Sequence, residues 1–165
     1  MPSLIKRLRC HRHSRGFGIH SPFAFRFVTE VLCQRHPYLA YADITSDSRV
    51  RLLLRLIVAF KPEKVAILSS QPQLLQDAVL RADSRITLGS DSPDMIVVDA
   101  DDNAIDRYLP QLIGGAHALI VNADKATAQT LSRALPHGMI FDNCRGTIVV
   151  AAYSYLPRQD FDVAF

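Results

Sequence analysis

The apolar residues in the N-terminal part of the chain recur at the spacing of helices. Ser21 and Pro22 begin one helix, because serine caps a helix N-terminus and proline fits the first turn. Residues 50–60 form a second helix, whose apolar positions nearly encircle it and which Pro62 ends. The segment 37–46 reads as a linker between them. The pattern therefore predicts two N-terminal helices, of which the second is buried on more than one side.

From residue 63 onward, short apolar runs alternate with amphipathic segments. The predicted strands and helices lie, in order, at 65–68, 72–82, 85–88, 95–98, 104–113, 118–121, 125–135, 139–141 and 147–152. Unbroken apolar runs such as 95–98 are typical of strands buried on both faces of a parallel sheet. The last two strands have no helix between them and form a hairpin. We expect an α/β fold in which helices cover both faces of a mostly parallel sheet. The hairpin is expected to make one edge of this sheet antiparallel.

The composition is that of a globular chain, with 165 residues, 48% hydrophobic and 21% charged. No apolar run approaches the roughly 18 residues that a membrane-spanning helix needs. We divide the chain into a basic N-terminal arm with a helical lid, 1–62, and an α/β core, 63–165. The three cysteines, Cys10, Cys33 and Cys144, are scattered. They predict a reducing compartment, the cytoplasm, with neither a disulfide framework nor a paired metal motif.

Basic residues are concentrated at the N-terminus. Residues 1–36 hold seven Lys or Arg and one acid, whereas the remainder holds twelve basic and fifteen acidic residues. Such an arm can bind nucleic acid, an anionic lipid surface or the acidic body of the protein itself. No nucleic-acid motif accompanies it, so nucleic acid is a disfavoured partner. The arm's histidines, together with Cys10, lack a second half with zinc-like spacing, which favours a solvated arm over a metal site.

Polar residues follow the predicted strands, and in open α/β sheets ligands bind beyond the carboxyl ends of the strands. The candidates there are Ser69, Ser70, Gln71, Asp91, Asp99, Asp101, Asp102, Asn122 and Asp124. Carboxylates in such positions serve acid–base chemistry or bind a hard cation, and they also cap helices. Asp99 and Asn122 alone make a poor cation site, so we expect no metal. His20 is either a ligand contact from the lid or a histidine packed where a helix starts.

Two stretches carry a resemblance to a known family. "RGFGIHSPFAF", at 15–25, resembles the "HG(I/V)HSPFVF" opening of a group of bacterial class I S-adenosylmethionine-dependent methyltransferases. The second stretch runs from Arg51 to the C-terminus, and within it "DMIVVDADDNAIDRYLPQLIGGAHALIV", at 94–121, resembles a segment of O-methyltransferases. The resemblance covers most of the chain, although only the HSPF segment is specific. It implies a Rossmann-like methyltransferase sheet and S-adenosylmethionine as cofactor.

The chain departs from that family where the cofactor binds. The family's first-strand acid aligns with Ile67, and its loop glycines align near Ser69 and Gln73. The acid that holds the ribose has no clear match, and Asp91 is a distant substitute. The segment 89–94 is too short for the usual further helix and strand, so one strand–helix unit is deleted. These departures predict weak or absent S-adenosylmethionine binding.

The resemblance also bears on metal and function. In metal-dependent O-methyltransferases the cation is bound by the acid after the fourth strand and by an Asp-Asn pair after the fifth. In this chain Asp99 matches the acid, but Asn122-Ala123 stands in place of the Asp-Asn pair. We expect a methyltransferase-like pseudoenzyme or binding module for an unknown small molecule or protein. One alternative is an active small-molecule O-methyltransferase, in which the cofactor and the acceptor are positioned by Asp99, Asp101, Asp102 and the lid residue His20. Another is an arm that binds nucleic acid or an anionic surface. The deleted unit leaves an apolar face, which favours a homodimer.

Overall fold

The computed structural model describes residues 10–11, 14–34, 47–69, 72–89, 91–99 and 105–165. The elements are α1 Pro22–Arg26, a π-helical segment Phe27–Leu32, α2 Ser48–Phe60, β1 Lys64–Leu68, α3 Pro72–Ala82, β2 Thr87–Leu88, β3 Met95–Asp99, α4 Ile105–Ile113, β4 His117–Val121, α5 Lys125–Ala134, β5 Met139–Asp142, β6 Ile148–Ala151 and β7 Gln159–Asp162. Every predicted strand and helix from residue 63 onward is present, although several are shorter than expected. β7 is an addition that the pattern did not predict. The predicted linker, 37–46, lies outside the described residues.

Seven strands form one sheet in the order β2-β1-β3-β4-β6-β5-β7. Six strands run in one direction, and β6 alone is antiparallel to its neighbours β4 and β5. The expectation of a mostly parallel α/β sheet is therefore confirmed. The expectation of an antiparallel edge is wrong, because β6 lies inside the sheet and β7, parallel to β5, forms that edge. All four residues of β6 are buried, whereas the polar β7 is partly exposed, as suits an edge strand.

The connection between β2 and β3 is short. Residues 89–94 join the two strands, which lie on opposite sides of β1. The Asp94 carboxylate accepts hydrogen bonds from the Glu63 and Lys64 amides, both at 2.9 Å, and so fastens this connection to the start of β1. β2 has two residues rather than the predicted four, because Arg85 is drawn into a turn by the Asp83 carboxylate. Six residues leave no room for a further helix and strand.

Helices cover both faces of the sheet. One buried cluster joins α1, the π-helical segment, α2 and α3 to the sheet, and it includes Phe27, Leu53, Val97, Leu119 and Phe141. A second cluster joins α4 and α5 to the opposite face, and it includes Ile96, Tyr108, Leu112, Ile120 and Leu131. Alternate residues of β3 and β4 thus enter different clusters, as the two-residue period of a strand requires.

Two helix starts follow from capping. The Ser21 hydroxyl accepts a hydrogen bond from the Ala24 amide at 3.3 Å, and Pro22 occupies the first turn, as predicted. Asp47 caps α2, where its carboxylate accepts the Arg49 amide at 2.8 Å. These caps stabilise the two helices, because they satisfy amides that have no partner within the helix.

Cys10 and Cys144 form a disulfide across a sequence separation of 134 residues, whereas Cys33 is not part of a disulfide. The prediction that the scattered cysteines form no disulfide is therefore wrong. Spacing along the chain does not limit which residues meet in the folded state. None of the described helices is long and apolar enough to cross a membrane.

Candidate functional site

Asp99 and Asn122 meet at the carboxyl edge of the sheet. Asp99 is the last residue of β3. Asn122 directly follows β4, the strand that pairs with β3. The Asn122 amide nitrogen donates a hydrogen bond to Asp99 Oδ1 at 2.6 Å. Asn122 has a positive φ of 54°, a conformation that asparagine tolerates better than most residues. Two of the residues that the sequence singled out are thus brought into direct contact.

The loop after Asn122 is fixed by its neighbours. The Ala123 amide donates to the Gly146 carbonyl at 2.8 Å and joins this loop to the β5–β6 turn. Asp124 caps α5, where Oδ1 accepts from the Thr127 amide at 2.7 Å and from its hydroxyl at 2.8 Å. These hydrogen bonds from Thr127 lower the pKa of Asp124. Asp124 is therefore engaged as a helix cap, and Asp99 and Asn122 form a hydrogen-bonded polar pair at the ends of β3 and β4.

Arg49 adds a positive charge near this pair. The pKa of Arg49 is raised above its ordinary value, mainly by the hydrogen bond and charge of Asp47 and in addition by attraction to Asp99. The start of α2 is thereby within electrostatic reach of the end of β3. Sequence reasoning missed Arg49, because nothing in the spacing of an N-terminal helix indicates which strand end it approaches.

The ends of β1 and β2 offer little polar lining. A cavity of about 210 Å³ lies there, and its lining residues are Val65, Ala66, Ile67, Leu68, Gln76, Leu88, Gly89 and Tyr108. None of these carries a carboxylate, and the volume falls below the roughly 300–1,000 Å³ of common ligand pockets. Ser69 is half-buried after β1, and Asp91 and Gln73 are exposed. Neither Asp91 nor Asp99 lines this cavity.

Several sequence candidates receive no structural account or stand apart. Ser70, Gln71, Asp101 and Asp102 lie outside the described residues. His20 is exposed, directly before the capping Ser21, and it has no hydrogen-bond partner in the described part of the chain. Both interpretations of His20, as a ligand contact from the lid and as a histidine at a helix start, stay predictions.

The larger cavities lie at the opposite, amino-terminal edge of the sheet. Two cavities of about 760 and 740 Å³ share the segment 61–63 as a wall. His117 lines the first; it is buried, and Nδ1 accepts the Ala152 amide at 3.1 Å. Burial lowers the pKa of His117 to about 4, against an opposing attraction to Asp94. His117 is thus neutral at neutral pH, and it escaped the sequence analysis because it begins an apolar strand.

No protein-family model, curated protein or solved structure matches this chain. The class of the protein therefore rests on its own fold and site. It is an α/β protein with a seven-stranded, mostly parallel sheet, which carries a hydrogen-bonded Asp99–Asn122 pair at the carboxyl edge.

Proposed function

We propose that the chain is a methyltransferase-like binding module in which the S-adenosylmethionine site is weakened or lost. The observation that carries this proposal is the cavity beside the ends of β1 and β2, which has a volume of about 210 Å³ and no carboxylate among the described residues that line it. A nucleoside cofactor needs a carboxylate for its ribose hydroxyls and a backbone that it can approach closely. Ile67 and Leu68 occupy the end of β1 instead.

The sheet supports the methyltransferase-like part of the proposal. The resemblance at 15–25 and from Arg51 to the C-terminus implies a mostly parallel sheet, a C-terminal hairpin and one missing strand–helix unit. The sheet has one antiparallel strand, β6, which belongs to a C-terminal hairpin with β5. The direct connection 89–94 stands where a helix and a strand are expected to be missing.

Simple energetics favours a weak cofactor site. Each polar partner that a buried ligand group loses costs about 1–3 kcal/mol. About 1.4 kcal/mol corresponds to a tenfold change in affinity. The loss of two or three partners therefore moves a micromolar dissociation constant towards millimolar.

The test is a thermal melt with S-adenosylmethionine and with S-adenosylhomocysteine, supported by calorimetric titration. A ligand at 100 times its dissociation constant adds about 2.7 kcal/mol. At this chain length the melting temperature would then rise by roughly 5–10 °C. We expect no such rise at tens of micromolar ligand. A rise of that size would contradict the proposal and show an intact cofactor site.

The Asp99–Asn122 pair favours one second candidate, an active O-methyltransferase with a divergent site. Methyl transfer depends mainly on proximity and orientation, so an unusual site can still catalyse it. This candidate predicts saturable methyl transfer that Asp99→Asn removes and that Asp106→Asn, on the exposed side of α4, leaves unchanged. If Asp99→Asn leaves the transfer unchanged as well, the assignment of Asp99 fails.

A further inference from the structure

A second polar cluster lies at the carboxyl ends of β5 and β7. Asp142 ends β5, Asp162 ends β7, and the two residues are register partners on adjacent parallel strands. One ligand atom of each carboxylate and the sulfur of Cys144 all lie within 4.8 Å of one another. The sulfur of Cys10 is bonded to that of Cys144. Two sulfurs and two carboxylates therefore converge from three separate segments.

The β5–β6 turn holds Cys144 independently of the disulfide. Its amide donates to Asp142 Oδ1 at 2.7 Å, and its φ is +61°. The Asn143 side-chain oxygen accepts from the amides of Arg145 and Thr147, each at 2.8 Å. Because local hydrogen bonds shape the turn, reduction of the disulfide leaves the Cys144 thiol beside Asp142.

Cys10 is fastened to the C-terminal segment in the same way. Its carbonyl accepts from the Ala164 amide at 3.1 Å and from the Ser14 amide at 3.2 Å, and the residue is buried. The Val163 amide donates to the Asp142 carbonyl at 2.9 Å, which continues the connection to β5. A reduced Cys10 thus stays close to the other three residues.

We propose that Cys10, Cys144, Asp142 and Asp162 bind one divalent cation of the zinc class when both cysteines are reduced, and that the disulfide is the oxidised, metal-free form of this site. Thiolates with carboxylates suit zinc, which takes four such ligands in a tetrahedron. Its bond lengths of about 2.0–2.3 Å place ligand atoms roughly 3–4 Å apart. The Cα atoms of the two cysteines, 7.2 Å apart, leave space for an ion between the sulfurs.

The two forms exchange by ordinary thiol chemistry. Two molecules of a small thiol reduce the Cys10–Cys144 bond and leave as their own disulfide, and each protein sulfur gains one proton. The cation then displaces those two protons when the thiolates bind it. Magnesium and calcium are excluded by preference, since they select oxygen ligands. The site shares no residue with the cavity beside β1 and β2 or with the Asp99–Asn122 pair.

The experiment is a titration of the reduced protein with Co²⁺ under exclusion of oxygen, followed by competition with Zn²⁺. Cobalt reports thiolate ligands through near-ultraviolet charge-transfer absorption, and tetrahedral geometry through intense visible bands. We expect one Co²⁺ per reduced chain, displaced by Zn²⁺, and none on the oxidised chain. Cys10→Ser and Cys144→Ser should each lose at least half of the charge-transfer absorption and weaken binding at least tenfold.

Two further variants separate the site from its surroundings. Cys33→Ser is the matched control, because the Cys33 sulfur lies against the Ala164 carbonyl at 3.5 Å and does not belong to the cluster. It should bind Co²⁺ as the parent does. Asp142→Asn with Asp162→Asn keeps both thiols, and the side-chain oxygen that remains after Asp142→Asn can still accept the turn amide. This double variant should fold, by circular dichroism, and weaken Co²⁺ at least tenfold.

Three results would overturn the proposal. The first is a reduced parent that shows no thiolate absorption with Co²⁺. The second is a Cys33→Ser variant that loses the bands as fully as Cys144→Ser does. The third is a folded Asp142→Asn, Asp162→Asn double variant with unchanged affinity. The last result decides the matter even where a cysteine variant fails to fold, and none of the three depends on S-adenosylmethionine.

Discussion

The ring of Phe60, at the end of α2, lies flat against the imidazole of His117, at the start of β4, with centroids 3.9 Å apart and planes 9° from parallel. Tyr153 closes the cluster edge-on, 4.5 Å from His117. The contact fixes the helical N-terminal region against the middle of the sheet. It also keeps the imidazole away from water and so disfavours its protonated form.

The buried imidazole predicts that stability falls with acidity. The pKa of His117 is about 4 in the folded protein against an ordinary 6.5, so the unfolded chain takes up the proton first. The contribution of the neutral imidazole to the free energy of unfolding is therefore fully present above pH 6.5. It is lost as the pH falls from 6.5 towards 4, which lowers the free energy of unfolding by up to roughly 3 kcal/mol. Urea unfolding between pH 5 and 7.5 should show that the free energy of unfolding of the parent decreases as the pH falls. The slope of this dependence on pH should be smaller in His117→Gln. Equal slopes would contradict the assignment.

A substitution at Gly138 tests how closely two chain segments approach each other just before β5. Its φ is +87°, and an added Cβ would lie 2.7 Å from the Ala151 carbonyl oxygen. Gly138→Ala should lower the free energy of unfolding by about 2–4 kcal/mol, because strain and backbone overlap add. Gly89→Ala is the control, since a Cβ there meets nothing within 4 Å; it should stay within about 0.5 kcal/mol of the parent. If Gly138→Ala changed the free energy of unfolding as little as Gly89→Ala does, the close approach at Gly138 would be contradicted.

The π-helical segment Phe27–Leu32 should unfold together with the sheet. The ring centroid of Phe27 lies 5.5 Å from that of Phe60 and 5.0 Å from that of Phe141. Phe27→Ala should therefore cost about 3–5 kcal/mol and lower the melting temperature in a single transition. Phe25→Ala, at a 44% exposed position, is the control and should have a small effect. Two separate transitions in the parent would show that the regions fold independently.

Asn122 tests how the carboxyl edge is built. Asn122→Gly removes the hydrogen bond to Asp99 but accepts the positive φ, whereas Asn122→Ala suffers both losses. Since a left-handed conformation costs a non-glycine residue about 1–2 kcal/mol, alanine should be less stable than glycine by about 1 kcal/mol. Chemical denaturation measures the difference directly. A glycine variant as unstable as the alanine variant would assign the whole cost to the hydrogen bond.

The periodicity of the chain was enough to locate most helices and strands. The helix predicted at 125–135 is α5, Lys125–Ala134, with Asp124 as its cap. Such features depend on residues within one or two turns, so they are written in the local sequence. β7 was missed because its sequence, QDFD, has no apolar run; it is a strand only because it pairs with β5.

The candidate site divides in the same way. Strand ends of a parallel sheet share one edge, so the sequence could identify Asp99 and Asn122 as candidates that meet there. The sequence could not predict that Arg49 approaches that edge or that His117 is buried under Phe60. Nor could it predict the disulfide between Cys10 and Cys144, or that it lies beside Asp142 and Asp162. Those contacts join positions far apart in the chain. Only the packing of helices on the sheet and the order of its strands decide them, because no local pattern encodes which distant residues become neighbours.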